Sequence, residues 1–192
     1  MKKRVFLAVH LPEKLKRELG LVIGEMREKD QRALIKWVNG DGAHITLHFL
    51  GDQDEEAIRR ISGIVRETAG EYRPTVYALD AVGFFPDAGQ PRIIYVAARE
   101  RDGAMLESLR EKIGRRLEQI GIDVDHRTWH PHITLGRIKA LGPKSETYAS
   151  TPVEPREFTV DTVDLTESRL DPAGAIYTVI ERFPLHGTGS NS

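Results

Sequence analysis

The tetrapeptide His44-Ile45-Thr46-Leu47 occurs again as His132-Ile133-Thr134-Leu135, each copy inside a short strand-like run preceded by turn-forming residues. Successive side chains on a strand point to opposite faces. Each copy therefore sends an imidazole and a hydroxyl one way and an aliphatic pair the other. Two such strands can bury Ile45, Leu47, Ile133 and Leu135 while presenting His44, Thr46, His132 and Thr134 on an open face. A single H-x-T is ordinary sheet composition, but two identical copies in a chain with no other strong repeat mark a site.

Histidine titrates near neutrality, so two facing imidazoles can act as general base and general acid in one step. Threonine hydroxyls can hold phosphoryl oxygens without fixing the proton state of the imidazole beside them. Two facing His–Thr strands would clamp one phosphate from both sides. In-line displacement at phosphorus needs that arrangement, with a base behind the attacking water and an acid at the leaving oxygen. Neither a metal nor a cofactor is required.

Composition narrows the alternatives. Lys+Arg is 28 and Asp+Glu is 29, and 28 − 29 gives a formal charge of −1. A polybasic coat that binds nucleic acid by bulk charge is therefore excluded, and an anionic substrate must be held by a local cluster of donors. Cysteine is absent, which removes disulfides, thiolate nucleophiles and Cys-ligated metals. The basic start Met1–Arg4 and the short apolar stretch Val5–Val9 do not resemble a signal peptide. No apolar run approaches a membrane span. The expectation is a cytoplasmic monomer of 192 residues, with one domain over 1–185 and a small polar tail over 186–192.

The spacing of apolar residues predicts a strand over Val5–Val9, a helix from Glu13 to about Lys29 entered through Pro12, and a strand over Ala43–Leu50. A second helix is expected from Asp54 to Ala69, and Thr75–Val82 and Arg92–Ala98 read as paired strands around a Phe84–Pro91 loop. A third helix is expected from Asp102 to about Ile120, then strands at His132–Ile138, Phe158–Glu167 and Ala175–Phe183, with Ala140–Pro155 a loop. The irregular alternation of these elements favours an α+β fold with mostly antiparallel sheets. No Rossmann or Walker glycine motif is present.

With those elements placed, the chain resembles the two-histidine (2H) phosphoesterases, specifically the bacterial and archaeal RNA 2′,3′-cyclic phosphodiesterase group, also called the 2′-5′ RNA ligase group. The resemblance runs through Arg4–Pro12, Trp37-Val38, His44–Gly51, Gly83–Pro86 with Pro91-Arg92, Trp129–Arg137, and Tyr177–Leu185. It implies a bilobal fold with two mostly antiparallel sheets flanked by helices, one H-x-T strand per lobe, and a central cleft. It also implies hydrolysis of RNA 2′,3′-cyclic phosphate ends to a 2′-phosphate, with His44 as the acid and His132 as the base; as text the two motifs are equivalent. By the same resemblance Thr46 and Thr134 hold the non-bridging oxygens and Arg137 assists. The resemblance also implies a weaker, ATP-independent 2′-5′ RNA ligase activity using the same groups. Two positions depart from the family: His48 stands where Arg is common, and Gly136 where a small apolar residue is usual.

Other residues carry expectations of their own. On a regular strand His48 shares the face of His44, and Phe49 joins Leu47 in the core. Trp129 and Trp37 read as core packing, and Tyr177 as strand packing. His10, His126 and His186 have no partner visible in sequence and read as surface residues. The rival reading of the histidines is a metal-dependent phosphoesterase with His44, His48, His130 and His132 as ligands; it leaves both threonines unexplained. A non-catalytic RNA-binding module could use the aromatics and arginines, but has no need of paired histidines. A serine hydrolase lacks its G-x-S-x-G elbow.

Overall fold

The computed structural model describes residues 1–86, 90–139, 148, 151–171 and 174–187. The elements run β1 (Lys3–His10), α1 (Glu13–Lys29), β2 (Ile35–Trp37), a single 3₁₀ turn (Gly40–Gly42), β3 (His44–Gln53), α2 (Glu55–Ala69), β4 (Thr75–Phe85), β5 (Ile93–Glu100), α3 (Met105–Glu118), β6 (His132–Ile138), β7 (Glu157–Val160), β8 (Thr162–Asp171) and β9 (Gly174–Pro184). Local chemistry explains the helices. Leu15, Leu19, Ile23 and Met26 form the buried stripe of α1. The Asp54 side chain caps α2 by accepting from the Ala57 N–H. No helix among the described residues is long and apolar enough to cross a membrane.

The strands form one antiparallel sheet in the order β7-β4-β5-β6-β3-β1-β8-β9, with β2 added on β6. The two expected sheets are its two halves, one ending at β6 and the other beginning at β3. Among the described residues these halves meet at one register pair, Ile45 opposite Ile133.

The expected strand Phe158–Glu167 is two strands. β7 pairs with β4 and β8 pairs with β1, in different halves of the sheet. Asp161 alone separates them, so the sheet must curl to bring its distant strands within one residue's reach. The three-residue β2 had no sequence expectation. It lies against β6 with Trp37 opposite Gly136, and a Cβ on Gly136 would come within 2.7 Å of Ile35 Cγ2. That close approach accounts for glycine at this position. Most of the expected Ala140–Pro155 loop and of the tail lies outside the described residues, though the Gly187 N–H donates to the Tyr72 carbonyl.

Alternation along β3 is broken by a bulge. Ala8 lies opposite Thr46 and Leu7 opposite His48, leaving Leu47 as the extra residue. His48 therefore turns inward and is 2% exposed, while Phe49 emerges on the open face at 63%. Both reverse the regular-strand expectation. β6 repeats the device: Tyr95 lies opposite Thr134 and Ile94 opposite Gly136, leaving Leu135 as the extra residue relative to β5 and Arg137 outward. Position by position, β3 and β6 share one burial pattern over the seven residues of β6.

Candidate active site

Both histidines of the repeat are anchored in the same way. His44 Nδ1 lies 2.6 Å from the Gly42 carbonyl, and His132 Nδ1 lies 2.8 Å from the His130 carbonyl. A carbonyl only accepts, so each Nδ1 carries the hydrogen and each neutral ring keeps its lone pair on Nε2. The backbone two residues upstream thus selects one tautomer at both positions. Since the motifs flank the Ile45–Ile133 junction, His44, Thr46, His132 and Thr134 lie beside it on the face opposite those buried isoleucines.

The ring environments also match. Phe6 lies 4.9 Å from the His44 ring and Tyr177 meets it edge-on at 5.1 Å. Phe85 lies 5.6 Å from the His132 ring and Tyr95 5.3 Å, both edge-on. Each tyrosine rests on a glycine. A Cβ on Gly42 would sit 3.0 Å from Tyr177, and one on Gly83 would sit 2.4 Å from Tyr95. Tyr177, for which strand packing is an adequate reading and cleft lining the other, walls His44. Phe6, Phe85 and Tyr95 carry no site signal in the sequence, because only strand pairing brings them to the histidines.

The walls change the electrostatics. Burial pushes the His44 imidazole down to about 4, against the opposing pull of the Gly42 carbonyl, with His10, His132 and Lys16 adding repulsion. Burial also lowers His132, offset by the His130 carbonyl, with further repulsion from His130 and Arg137. Arg137 is exposed on the open face, and its charge also reaches Tyr177 beside His44.

A second set of contacts holds the first motif. The Arg110 Nε–H donates to the Leu47 carbonyl at 3.0 Å, and the His48 Nε2–H donates to the Arg110 carbonyl at 2.8 Å. The Trp129 indole donates to the Thr46 carbonyl at 3.0 Å and lies under the Arg110 guanidinium at 5.6 Å. The carbonyls of Thr46 and of the bulged Leu47 are thus satisfied by side chains from α3 and from the segment leading into the second motif. Trp129 packs on the core as expected and has this additional role. Trp37 packs on the core beside Tyr148.

The four-histidine metal set is not assembled, because the β3 bulge sends His48 into the core and binds it to Arg110. Among the described residues no group of three or more His, Cys, Asp or Glu could hold a metal ion. His10 corrects another expectation. Its Nδ1 lies 2.9 Å from Asp164 Oδ2, with side chains 12% and 2% exposed. His126, paired with Glu118, and His186 are at the surface as expected.

The chain is similar to known proteins in sequence and fold. A family model described as the 2′-5′ RNA ligase superfamily matches residues 11–172. A Methanothermobacter thermautotrophicus protein named RNA 2′,3′-cyclic phosphodiesterase is 31% identical over 96% of this chain and 100% of its own. One of the same name from Thermus thermophilus is 33% identical over 96% of this chain and 91% of its own. A solved Thermus thermophilus structure superposes with a TM-score of 0.79 at 30% identity, covering 97% of this chain and 100% of that one. E. coli LigT complexed with 3′-AMP superposes at 0.75 with 20% identity, covering 96% of this chain and 99% of that one, a likeness of fold.

Proposed function

Because the chain belongs to the 2′-5′ RNA ligase superfamily, we propose that it is an RNA 2′,3′-cyclic phosphodiesterase, opening cyclic phosphate ends to a 2′-phosphate without a metal or cofactor. The observation that carries this reading is the pair of carbonyl-anchored imidazoles, each with Nε2 left free for chemistry on the same face of the sheet. The names and coverage of the relatives support the same substrate class.

In the proposed step His132 Nε2 takes a proton from water, which attacks phosphorus in line. His44 Nε2–H delivers a proton to the departing 3′ oxygen. The hydroxyls of Thr46 and Thr134 donate to the non-bridging oxygens, where negative charge must be held, and the Arg137 guanidinium adds a charge-assisted contact. Low imidazole affinity for protons in the free site suits the base directly. The acid gains its proton when the phosphate anion arrives, since an adjacent negative charge favours the imidazolium. With a 5′-hydroxyl in place of water as the nucleophile and the 3′ oxygen again leaving, the same groups would join RNA ends through a 2′-5′ linkage.

Turnover of a 2′,3′-cyclic nucleotide with chelator present tests the reading. His44→Ala and His132→Ala should each lower kcat by about 10²–10⁴-fold. Wild-type turnover in either variant contradicts the paired mechanism. Loss of activity in chelator with recovery on zinc or manganese favours the metal rival, and RNA binding without turnover favours a binding module.

A further inference from the structure

We propose that His10, held by Asp164, is a third imidazole of the active site and supplies the cationic contact to the substrate phosphate on the His44 side. This rests on the phosphodiesterase reading above. The ladder places the residues directly. On the open face His10 lies opposite His44 and Ala8 opposite Thr46, and Asp164 on β8 lies opposite Ala8. Only the methyl group of Ala8 stands between the Thr46 and Asp164 positions across three strands.

Asp164 is the informative residue. A nearly fully buried carboxylate is costly unless it is paired, and the proposed reaction does not otherwise use it. Its Oδ2 accepts from His10 at 2.9 Å, and among the described residues its Oδ1 has no hydrogen-bond partner. The mostly exposed Arg182 approaches that oxygen at 3.6 Å. With Nδ1–H committed to Asp164, His10 has Nε2 on the opposite edge of its ring, and that ring lies 5.7 Å from His44. A protonated His10 would then stand between two anions, Asp164 behind and the phosphate in front.

The repeated bulge shows why such a contact is needed on this side. In β6 the bulge brings Arg137 to the open face; the matching residue in β3 is Phe49, which has no charge. Among the described residues, the bulge of the first half therefore brings no cation to the open face. Lys16 is the other cation felt at His44, but its ammonium is tied to Glu13 on its own helix at 2.8 Å.

The experiment compares the wild type with His10→Gln, Asp164→Asn and Lys16→Gln in two assays: calorimetric titration with inorganic phosphate, and turnover of 2′,3′-cyclic AMP. His10→Gln should weaken phosphate binding and raise KM by about tenfold to a hundredfold, the loss of one charge-assisted bond. The fall in kcat should be smaller, and Asp164→Asn should act in the same direction. Phosphate affinity and KM within about twofold of wild type in His10→Gln would overturn the assignment. So would a loss in Lys16→Gln without one in His10→Gln. Should the wild type turn over no cyclic nucleotide, the phosphodiesterase reading fails, and the phosphate titration still decides the role of His10.

Discussion

Ile45 lies directly opposite Ile133, and this contact joins the two halves of the curled sheet. Both side chains are essentially buried, so the histidine and threonine that flank each isoleucine are turned to the other face. The relation between the His44 and His132 imidazoles is therefore set by the ladder itself rather than by a loop. Sites built on strands hold their geometry more tightly than sites on loops.

The first prediction concerns the bulge at Leu47. Arg110→Met removes the donors to the Leu47 and Asp125 carbonyls and should cost about 2 kcal/mol. For a chain of this size that is about 4–8 °C in Tm. Because the freed bulge carries Thr46, kcat should also fall by about tenfold or more, with KM changed less. Unchanged kcat in a folded, destabilised variant would mean that the clamp serves stability alone.

Glycines give a paired comparison. Gly83→Ala forces Tyr95 off its seat and so disturbs the wall of His132; kcat should fall while the far-ultraviolet spectrum stays that of the wild type. Gly24→Ala, in the middle of α1 with nothing within 4 Å, should leave turnover unchanged and raise stability by about 0.5–1 kcal/mol. Equal kinetic effects of the two substitutions would contradict the role given to Tyr95.

Stability should depend on pH through His44. Its folded value of about 4 lies below the ordinary 6.5, so the unfolded chain binds the extra proton between those values. Stability is then full above pH 6.5 and falls as pH drops towards 4, by up to about 1.4 kcal/mol per unit. His48 and His132, lowered by burial, act in the same direction. Thermal melts from pH 7 to 5 should show a steep fall in wild-type Tm and a shallower one in His44→Gln. Parallel curves would mean that His44 is not desolvated.

How far the sequence could be read depended on the range of the interactions involved. β6 begins and ends where its apolar pattern does, and alternation alone placed His44 with Thr46 and His132 with Thr134. The errors lie where pairing partners decide the outcome. The bulge at Leu47 has no glycine or proline to announce it, whereas that at Leu135 adjoins Gly136; they follow from registers with β1 and β5, and the first reverses the expectations for His48 and Phe49. Asp164 stands 154 residues from His10, and the split at Asp161 follows from the curl of the sheet. β2 is too short for its periodicity to be read.

The central claim is that two strand-borne imidazoles open a cyclic phosphate by general acid–base chemistry with the 3′ oxygen leaving. The most direct measurement is incubation of the protein, with chelator present, with an oligonucleotide ending in a 2′,3′-cyclic phosphate, followed by ³¹P NMR of the product. A 2′-phosphate is expected as the sole new end. A 3′-phosphate, a mixture of the two isomers, or an unchanged cyclic end would contradict the claim.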